Sequence, residues 1–406
     1  MTTKRRVPEL RFKGFEGEWE EKELGADVAE IIGGGTPSTS IPEYWDGDID
    51  WYSPTEIGEN VYANGSVKKI TELGLKNSSA KLLPPGKTLL FTSRAGIGDM
   101  AILQRSGSTN QGFQSLILKE GFDTYFFYSI GFLIKKYAEK HSSGSTFLEI
   151  SGKKLGQMSV YTPLPAEQSQ IGTFFQNLDS LITLHQRKYD KLTIVKKAML
   201  EKMFPKEGSD LPEIRFKGFT EKWERRTMRE ITAPFSEPVS TPKDGYWRLG
   251  IRSHAKGTFH SFVQPGRELE TAKMHKVRAN NFIVNITFAW EHAVAITDGS
   301  DDGKLVSHRF PQFSFNEGMI PGYFKLLILD ERFKYHLWQS SPGGAGRNKV
   351  LKTNEMLEYS FWVPKEAEQS KIANFFKGLD SLITFQQREL YRPRYLGHKI
   401  RIRQPS

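Results

Sequence analysis

The chain has no cysteine among its 406 residues. Disulfides, thiolate metal sites and cysteine nucleophiles are therefore excluded, and a reducing compartment is compatible with the composition. The longest apolar stretch, residues 125–134, is too short to cross a membrane, and the first ten residues contain no apolar run typical of a signal peptide. By elimination, these absences predict a cytoplasmic protein without a membrane-spanning segment.

Motifs that carry chemistry are also missing. Gly86-Lys87-Thr88 lacks the glycine that a phosphate-binding loop needs five residues earlier, where Lys81 stands. Residues 96–101 match a loose dinucleotide pattern, but a strand and a turn are predicted after them instead of a helix. The nine histidines show no paired metal spacing, and no Asn-Pro-Pro-Tyr or Asp-Pro-Pro-Tyr segment, which would hold the base in an adenine methyltransferase, occurs. We therefore expect no catalytic cluster and no cofactor site.

Positive charge exceeds negative charge. With 57 Lys and Arg against 47 Asp and Glu, the formal net charge is +10 and the isoelectric point is near 9.3. Such a balance favours a polyanionic partner. A basic protein with no nucleic-acid role has the same balance, so charge alone does not decide the function.

One long helix is predicted over residues 166–203. Apolar residues recur there at helical spacing, Pro165 suits a first turn, Glu167 places a negative charge near the N-terminus, and Pro205 stops the helix. At 1.5 Å per residue, this helix spans roughly 57 Å. Its apolar stripe is narrow and nearly heptad, which predicts a partner helix to cover it.

The chain contains a tandem duplication. Residues 367–388 repeat residues 166–187 with 15 of 22 positions identical, and residues 212–224 repeat residues 8–20 with nine of 13 identical. Between these matched ends, the two copies show no comparable similarity. Two different globular regions are therefore set in one duplicated frame.

This arrangement resembles the specificity subunit of type I restriction-modification enzymes. The resemblance rests on the repeated P-E-[LI]-R-F-K-G-F-x-x-x-W-E segment, the two unlike globular regions, and the repeated helices that contain E-Q-S-x-I and continue into L-D-S-L-I-T. It covers almost the whole chain. It implies an α/β (α+β) fold in which two globular mixed α/β target recognition domains are separated by two long antiparallel coiled-coil helices, with an internal tandem duplication and pseudo-twofold symmetry.

The resemblance also implies a function and partners. It implies a non-catalytic subunit that recognises a bipartite DNA target and directs adenine methylation or restriction by other subunits. The implied partners are double-stranded DNA, two modification (methyltransferase) subunits and two restriction subunits, with no membrane. S-adenosylmethionine, ATP and Mg²⁺ belong to the partner subunits, so no cofactor is expected in this chain.

Two rival interpretations stay open. A stand-alone DNA-modifying enzyme would need a cofactor loop and a catalytic cluster. A scaffold that binds only protein would also explain the repeats and the long helices.

The predicted boundaries follow the repeats. They are an N-terminal segment (1–28), a first target recognition domain (29–163), a central spacer helix (164–205), the repeated leading segment (206–232), a second target recognition domain (233–363), a truncated distal helix (364–392) and a divergent tail (393–406). Pro393 is expected to end the distal helix near Tyr391, which would leave Val195 to Met203 of the central helix less well buried. The tail from residue 394 onward is expected to be poorly fixed.

Short apolar or alternating runs between Gly, Pro, Asn and Asp predict mixed, β-rich domains. In the first domain, a helix is predicted over residues 124–140. In the second, strands are predicted at 246–251, 281–288 and 292–297, followed by a helix at 322–339.

The candidate DNA-binding residues are polar or basic side chains on predicted loops, including the glycine-containing loops before each long helix. They are Ser93, Arg94, Asn110, Gln111, Gln114, Lys153, Lys154, Arg248, Arg252, His254, Lys256, Arg309, Arg347, Asn348 and Lys349. The candidate partner-binding residues are apolar positions of the repeated helices, namely Phe174, Phe175, Leu178, Phe375, Phe376 and Leu379. No catalytic and no metal-binding residue is predicted.

Overall fold

The computed structural model describes residues 7–144, 148–206, 208–268, 273–343 and 349–399. The chain divides into two compact units. The first unit comprises Met1–Arg187 with Gln387–Ser406, and the second comprises Lys188–Gln386. One of the two unlike regions of the duplicated sequence therefore lies in each unit.

The first unit is built mainly from short strands. In chain order they are β1 (Glu20–Glu23), β2 (Ala29–Gly33), β3 (Trp45–Tyr52), β4 (Tyr62–Ala63), β5 (Lys68–Ile70), β6 (Thr88–Phe91), β7 (Met100–Leu103), β8 (Gly107–Thr109), β9 (Gln114–Leu118) and β10 (Ser159–Thr162). Their sheets have the orders β2–β9–β6–β7–β4, β5–β3–β8 and β1–β10. The pairs β4–β7 and β3–β8 are parallel, and the other pairs are antiparallel. The core includes Leu89, Phe91, Leu116 and Phe126, which are fully buried.

Four short α-helices accompany these strands in the described part of the first unit. They are α1 (Glu72–Lys76), α2 (Thr124–Ser129), α3 (Gly131–His141) and α4 (Gly152–Gly156). The continuous helix predicted over 124–140 is wrong in one respect, because Ile130 leaves the helical conformation (φ −94°, ψ 6°) between α2 and α3. Tertiary packing explains the break: Ile130 is fully buried, and Gly131 lies so close to Met100 that a Cβ there would come within 2.6 Å of Met100 Sδ.

The second unit has its own set of strands. They are β11 (Glu224–Thr227), β12 (Thr232–Phe235), β13 (Pro238–Val239), β14 (Tyr246–Ile251), β15 (Thr258–Val263), β16 (Met274–Lys276), β17 (Phe282–Val284), β18 (Val294–Ile296), β19 (Leu305–Ser307), β20 (Gln312–Phe315) and β21 (Ser360–Val363). The sheets have the orders β12–β20–β17–β18, β13–β16–β19–β14–β15 and β11–β21. The strand predicted at 246–251 is confirmed as β14, whereas β17 and β18 are shorter than the predicted 281–288 and 292–297.

The helices of the second unit follow a plan similar to that of the first. They are α6 (Met228–Ile231), α7 (Pro321–Leu327), α8 (Glu331–Gln339) and α9 (Thr353–Met356). The helix predicted over 322–339 is interrupted between α7 and α8. The Asp330 carboxylate accepts a hydrogen bond from the backbone N–H of Arg332 at 2.7 Å and so caps the N-terminus of α8. Aspartate is one of the residues preferred at this position.

The predicted central helix is confirmed as α5 (Pro165–Lys202), and the distal helix is α10 (Glu366–Lys399). Within the second unit these helices are antiparallel, because Lys196 Nζ bonds Asp380 Oδ1 at 2.5 Å and the ring of Phe204, just past α5, lies 6.3 Å from that of Phe376. The C-terminal part of α5 therefore packs against the core of the second unit, and Met203, just after this helix, is buried in that core.

Two expectations about the C-terminus are wrong. The helix does not end near Tyr391 but continues through position 393 to Lys399. A proline removes one backbone N–H donor from a helix, and α10 continues across this missing hydrogen bond. Val195 and Met203 are not left exposed either, because the antiparallel direction places the start of α10, and not its end, beside them. Residues 400–406 lie outside the described residues.

The duplicated sequence folds into a duplicated frame. Trp19 and Trp223 of the two leading segments are buried. Each packs edge-to-face against an aromatic side chain of a helix: the ring centroids of Trp19 and Phe126 are 6.0 Å apart, and those of Trp223 and Tyr323 are 6.1 Å apart. In each unit an antiparallel strand pair, β1–β10 or β11–β21, ties the leading segment to the chain just before the long helix. The same residues therefore fix both unlike domains.

Candidate nucleic-acid interface

Three loops meet in the first unit. The backbone N–H of Ser93 donates to the carbonyl oxygen of Gly112 at 2.8 Å, and that of Ile150 donates to the carbonyl oxygen of Ser93 at 3.1 Å. The Gln114 side chain lies against Gly152, where a Cβ would come within 2.7 Å of Gln114 Oε1. We call residues 93–96, 110–114 and 150–154 the first recognition surface.

A glycine run lets the chain pass close to this surface. At Gly34, a Cβ would lie 1.9 Å from the carbonyl oxygen of Asn110 and 2.4 Å from Thr109 Oγ1. The next residue, Gly35, donates its N–H to the carbonyl oxygen of Thr109 at 2.8 Å. Only glycine fits such a backbone approach, so the glycine run after β2 fixes the segment that presents Asn110 and Gln111.

Most candidates of the first domain belong to this surface. Gln111, Lys153 and Lys154 are exposed, and Arg94, Asn110 and Gln114 are half-buried. The Asn110 side chain already accepts the N–H of Gly112 at 2.8 Å, which fixes its amide. Ser93 is the exception: it is fully buried, so its hydroxyl is not available to DNA and this candidate is wrong. Ser93 lies just after β6, where a loop was expected to expose it, but its backbone bonds to Gly112 and Ile150 turn its side chain into the core.

Loops that are far apart in sequence also meet in the second unit, around Ile286. Its backbone N–H donates to the carbonyl oxygen of Arg309 at 3.0 Å, and its own carbonyl oxygen accepts the N–H of Leu351 at 2.9 Å. The N–H groups of His254 and Ala255 donate to the carbonyl oxygens of Glu291 and His292, both at 2.8 Å. We call residues 252–257, 285–292, 309 and 349–351 the second recognition surface.

Backbone strain marks this second surface. Three of its non-glycine residues are left-handed: His254 (φ 61°), Ala255 (φ 49°) and His292 (φ 63°). Such conformations cost about 1 to 3 kcal/mol each and persist where the surroundings over-determine them. Here the backbone bonds above hold them, and Ser253 Oγ adds a bond to the Glu291 carboxylate at 2.7 Å. The loop therefore presents its side chains in one fixed conformation.

The second surface is cationic and unites most of the predicted residues. Arg252, His254, Lys256 and Arg309 are exposed, and Lys349 is half-buried. Arg248 is also exposed, but it lies on β14 and not on these loops. Within the described residues, its side chain makes no hydrogen bond to the loops of the second recognition surface. The candidates Arg347 and Asn348 lie outside the described residues.

Aromatic side chains of this surface were missed by the sequence reasoning. The Lys349 ammonium lies 4.7 Å from the ring centroid of Trp338 and 5.6 Å from that of Trp290, within cation–π range. Phe288 and Trp338 are 45% and 48% exposed. In the sequence, Phe288 ends the strand predicted at 281–288 and Trp290 falls between that strand and the one predicted at 292–297, so neither ring was a candidate.

The partner-binding candidates divide between surface and core. Phe174 is exposed, and Phe175, Leu178 and Phe375 are half-buried, whereas Phe376 and Leu379 are buried in the second core. For those two residues the prediction is wrong, because the C-terminal part of α5 covers them. The apolar residues that stay exposed at matching positions of both copies are Leu181 and Leu184 on α5 and Leu382 and Phe385 on α10, each 46% to 53% exposed.

A groove of about 390 Å³ lies beside the first of these exposed pairs, lined in part by Tyr128, Leu178 and Ile182. At its edge Tyr125 donates its hydroxyl to Asp179 Oδ2 at 2.7 Å. Burial raises the pKa of Asp179 above its usual range and raises the pKa of Tyr128 to about 12. The lining also contains Asp99, which pairs with Lys135 at 3.0 Å, so a partner in this groove would meet both apolar and charged groups.

Two features of the described residues concern metals and membranes. Among them, no group of three or more His, Asp or Glu side chains is placed to hold a metal ion. Within the same ranges, no helix is both long and apolar enough to cross a membrane.

A comparison with known protein families matches the first part of the chain. Residues 16–193 match the family model described as the type I restriction modification DNA specificity domain. The resemblance seen in the repeats is thereby confirmed.

Individual relatives agree with this assignment. The type I restriction enzyme MjaIX specificity subunit of Methanocaldococcus jannaschii is 38% identical over 189 residues, 45% of this chain and 42% of that subunit. The EcoR124I/EcoR124II specificity subunit of Escherichia coli is 31% identical over 201 residues, 45% of this chain and 48% of that subunit. The chain thus aligns with about half the length of these two relatives.

Weaker similarity extends over the whole chain. The MjaVIII specificity subunit of Methanocaldococcus jannaschii is 22% identical over 401 residues, 95% of this chain and 89% of that subunit. The crystal structure of a type I restriction-modification S subunit from M. genitalium aligns with a TM-score of 0.60 at 13% identity, covering 97% of this chain and 98% of that one. The predicted mixed α/β fold with an internal duplication is confirmed.

Proposed function

We propose that the protein is the sequence-specific DNA-binding subunit of a type I restriction-modification system and reads a bipartite target, one half-site with each recognition surface. The observation that carries this proposal is the contrast between the two copies. Their frames are alike in sequence and contacts, whereas the described candidates of the first surface include three amides and those of the second include none. Two unlike half-sites read from one repeated frame explain why selection would keep the frame and change the surfaces.

The chemistry of the two surfaces supports different base contacts. The first has Asn110, Gln111 and Gln114, and amide side chains pair in bidentate fashion with adenine in the major groove. The second has Arg252 and Arg309, whose guanidinium groups suit guanine O6 and N7. Lysines on both surfaces would contact phosphates and set affinity and register. The half-sites are therefore expected to differ in sequence.

The chain itself carries out no reaction in this proposal. Two modification subunits supply S-adenosylmethionine and methylate adenine, and two restriction subunits use ATP and Mg²⁺ to translocate and cut. The apolar pairs Leu181/Leu184 and Leu382/Phe385 are the proposed docking positions, because equivalent surfaces in both copies can bind identical partners.

A methylation map tests the proposal. Methylated adenines are mapped in a host that expresses this chain with its modification subunits, and the expected result is a split sequence with a fixed unspecified gap. The Gln111→Ala variant should change one half only, and Arg309→Ala the other. A map that is unsplit, or that changes in both halves with either variant, would contradict the proposal.

The rival interpretations give different results. Methylation of DNA by the isolated chain with S-adenosylmethionine would indicate a stand-alone enzyme. A protein-only scaffold would show no salt-dependent binding to DNA in the presence of its partners, whereas phosphate contacts make binding fall steeply with salt.

A further inference from the structure

One apolar side chain is presented at the cationic second surface without an aromatic partner in the described part of the chain. Phe288 is 45% exposed, and it lies two residues before Trp290, whose ring contacts Lys349. The adjacent Ala289 is fully buried in the core. The exposed phenyl ring therefore belongs to the same loop as the Trp290–Lys349 contact.

The loop that bears Phe288 is rigid. Asn285 Oδ1 accepts both the N–H and the hydroxyl of Thr287, at 3.1 and 2.7 Å, and Trp290 Nε1 donates to the carbonyl oxygen of Thr287 at 3.2 Å. The Phe288 carbonyl oxygen accepts the N–H groups of Glu291 and Ala293 at 3.0 and 3.2 Å. A ring held in this way loses little further conformational freedom when it enters a binding partner.

We propose that Phe288 is an apolar wedge that enters the base stack of the half-site read by the second surface and makes extrusion of that half-site's adenine easier. The inference rests on the proposed function. A methyltransferase reaches its base only after that base leaves the stack. Apolar wedges such as Phe, held beside cations that fix the phosphates, unstack a base step at the point of insertion.

The proposal assigns this role to one half-site only. Within the described residues, the first recognition surface consists of amides and cations and carries no exposed aromatic ring. Extrusion in the first half-site therefore depends on the methyltransferase alone, and the two halves of one duplex become internal controls for each other.

The test uses the full chain in complex with its modification subunits. Two duplexes carry the mapped target, each with 2-aminopurine in place of the methylated adenine of one half-site, and fluorescence reports unstacking. With Phe288→Ala, the equilibrium constant for extrusion obtained from the fluorescence should fall roughly five- to 150-fold for the probe in the half-site read by the second surface, the range expected for loss of one base–aromatic contact. It should be unchanged for the other probe. Phe288→Trp should restore the signal.

Phe262→Ala is the matched control, since Phe262 is 43% exposed in the same unit but lies on the β15 edge strand. Its complex should behave like the native one. An unchanged signal with Phe288→Ala, or an equal loss for both probes, would overturn the wedge. If the native complex neither binds nor methylates the mapped duplex, the proposed function itself fails, and this is measured first.

Discussion

Arg11 and Glu167 lie 156 residues apart in sequence and form a bidentate ion pair, with Nε to Oε1 at 2.8 Å and Nη2 to Oε2 at 2.7 Å. Arg215 and Glu368 form the same pair in the second copy, at 2.6 and 2.7 Å. The hydrogen bonds and charge of each glutamate raise the pKa of its arginine above the usual value. The pair fastens the leading segment to the first turn of the long helix in both units.

Loss of one partner of this pair should be strongly destabilising. The Glu167 side chain is only 1% exposed, so Glu167→Ala leaves a largely buried guanidinium without its counter-charge. We expect the free energy of unfolding of the first unit to fall by about 3 to 5 kcal/mol in denaturant titrations. Glu20→Ala removes the exposed Lys22–Glu20 pair and should cost about 1 kcal/mol or less. Equal effects of the two variants would contradict this reading.

The glycine run beside the first surface should not tolerate a side chain. In Gly34→Ala the new Cβ meets the Asn110 carbonyl oxygen, so we expect a loss of about 1 to 3 kcal/mol of stability together with loss of one half-site in the methylation map. Gly378→Ala on α10 meets no atom within 4 Å and should stabilise the protein by about 0.5 to 1 kcal/mol. If Gly34→Ala changed neither the stability nor the methylation map, the close contact between the backbone at Gly34 and the Asn110 carbonyl would not be required.

Arg309 should specify a base of its half-site. Arg309→Ala should relax specificity at one position, whereas loss of a phosphate contact would instead reduce the slope of log K against log salt by about 1 and would contradict this role. Fluorescence anisotropy of the complex over a salt series measures the slope. The control is Lys222→Ala, an exposed cation paired with Asp210 at 2.7 Å, which should leave both quantities unchanged.

The exposed apolar pairs of α5 and α10 should each bind one modification subunit. Leu184→Glu and Phe385→Glu place a charge in an apolar contact, and each should reduce the complex from two partner copies to one, as measured by native mass spectrometry. The double variant should bind none. Leu73→Glu, on an equally exposed position of α1, should keep both copies. Retention of two copies in both single variants would locate the docking surfaces elsewhere.

His292 should make stability depend on pH. Burial lowers the pKa of its imidazole. The hydrogen bond between Nε2 and the Ile328 carbonyl oxygen at 2.7 Å and the charge of Glu331 oppose this shift, and Lys334 and His254 add to it. The unfolded chain therefore binds the proton more tightly, and stability falls as pH drops below about 6.5. His292→Asn, which tolerates the left-handed conformation, should weaken this fall between pH 7 and 5 in denaturant titrations.

The extent of the long helix could be read from local sequence. The predicted range of 166–203 and the observed Pro165–Lys202 differ by one residue at each end. Prolines at its boundaries and a sustained helical period act locally, so no tertiary information was needed. The same applies to β14, whose bounds match. The interruption at Ile130 could not be predicted from the sequence, because it depends on packing against Met100. The interruption at Asp330 has a local signal, an aspartate cap, but the helical period continues across it and so predicted one helix.

The tertiary structure decided which apolar side chains of a long helix are buried. Phe375 and Phe376 are adjacent in sequence and alike in chemistry, yet only Phe376 is fully buried, because α5 returns antiparallel and brings Phe204 onto it. The recognition surfaces depended on the same kind of information. The sequence by itself determined the duplication and the resemblance to type I specificity subunits, since these are properties of residue order and type, whereas the DNA-binding role of the polar candidates stays a prediction. Only the folded chain decided that Ser93 turns inward, because its backbone bonds to Gly112 and Ile150 on distant loops, and that Phe288 is exposed while the adjacent Ala289 is buried in the core.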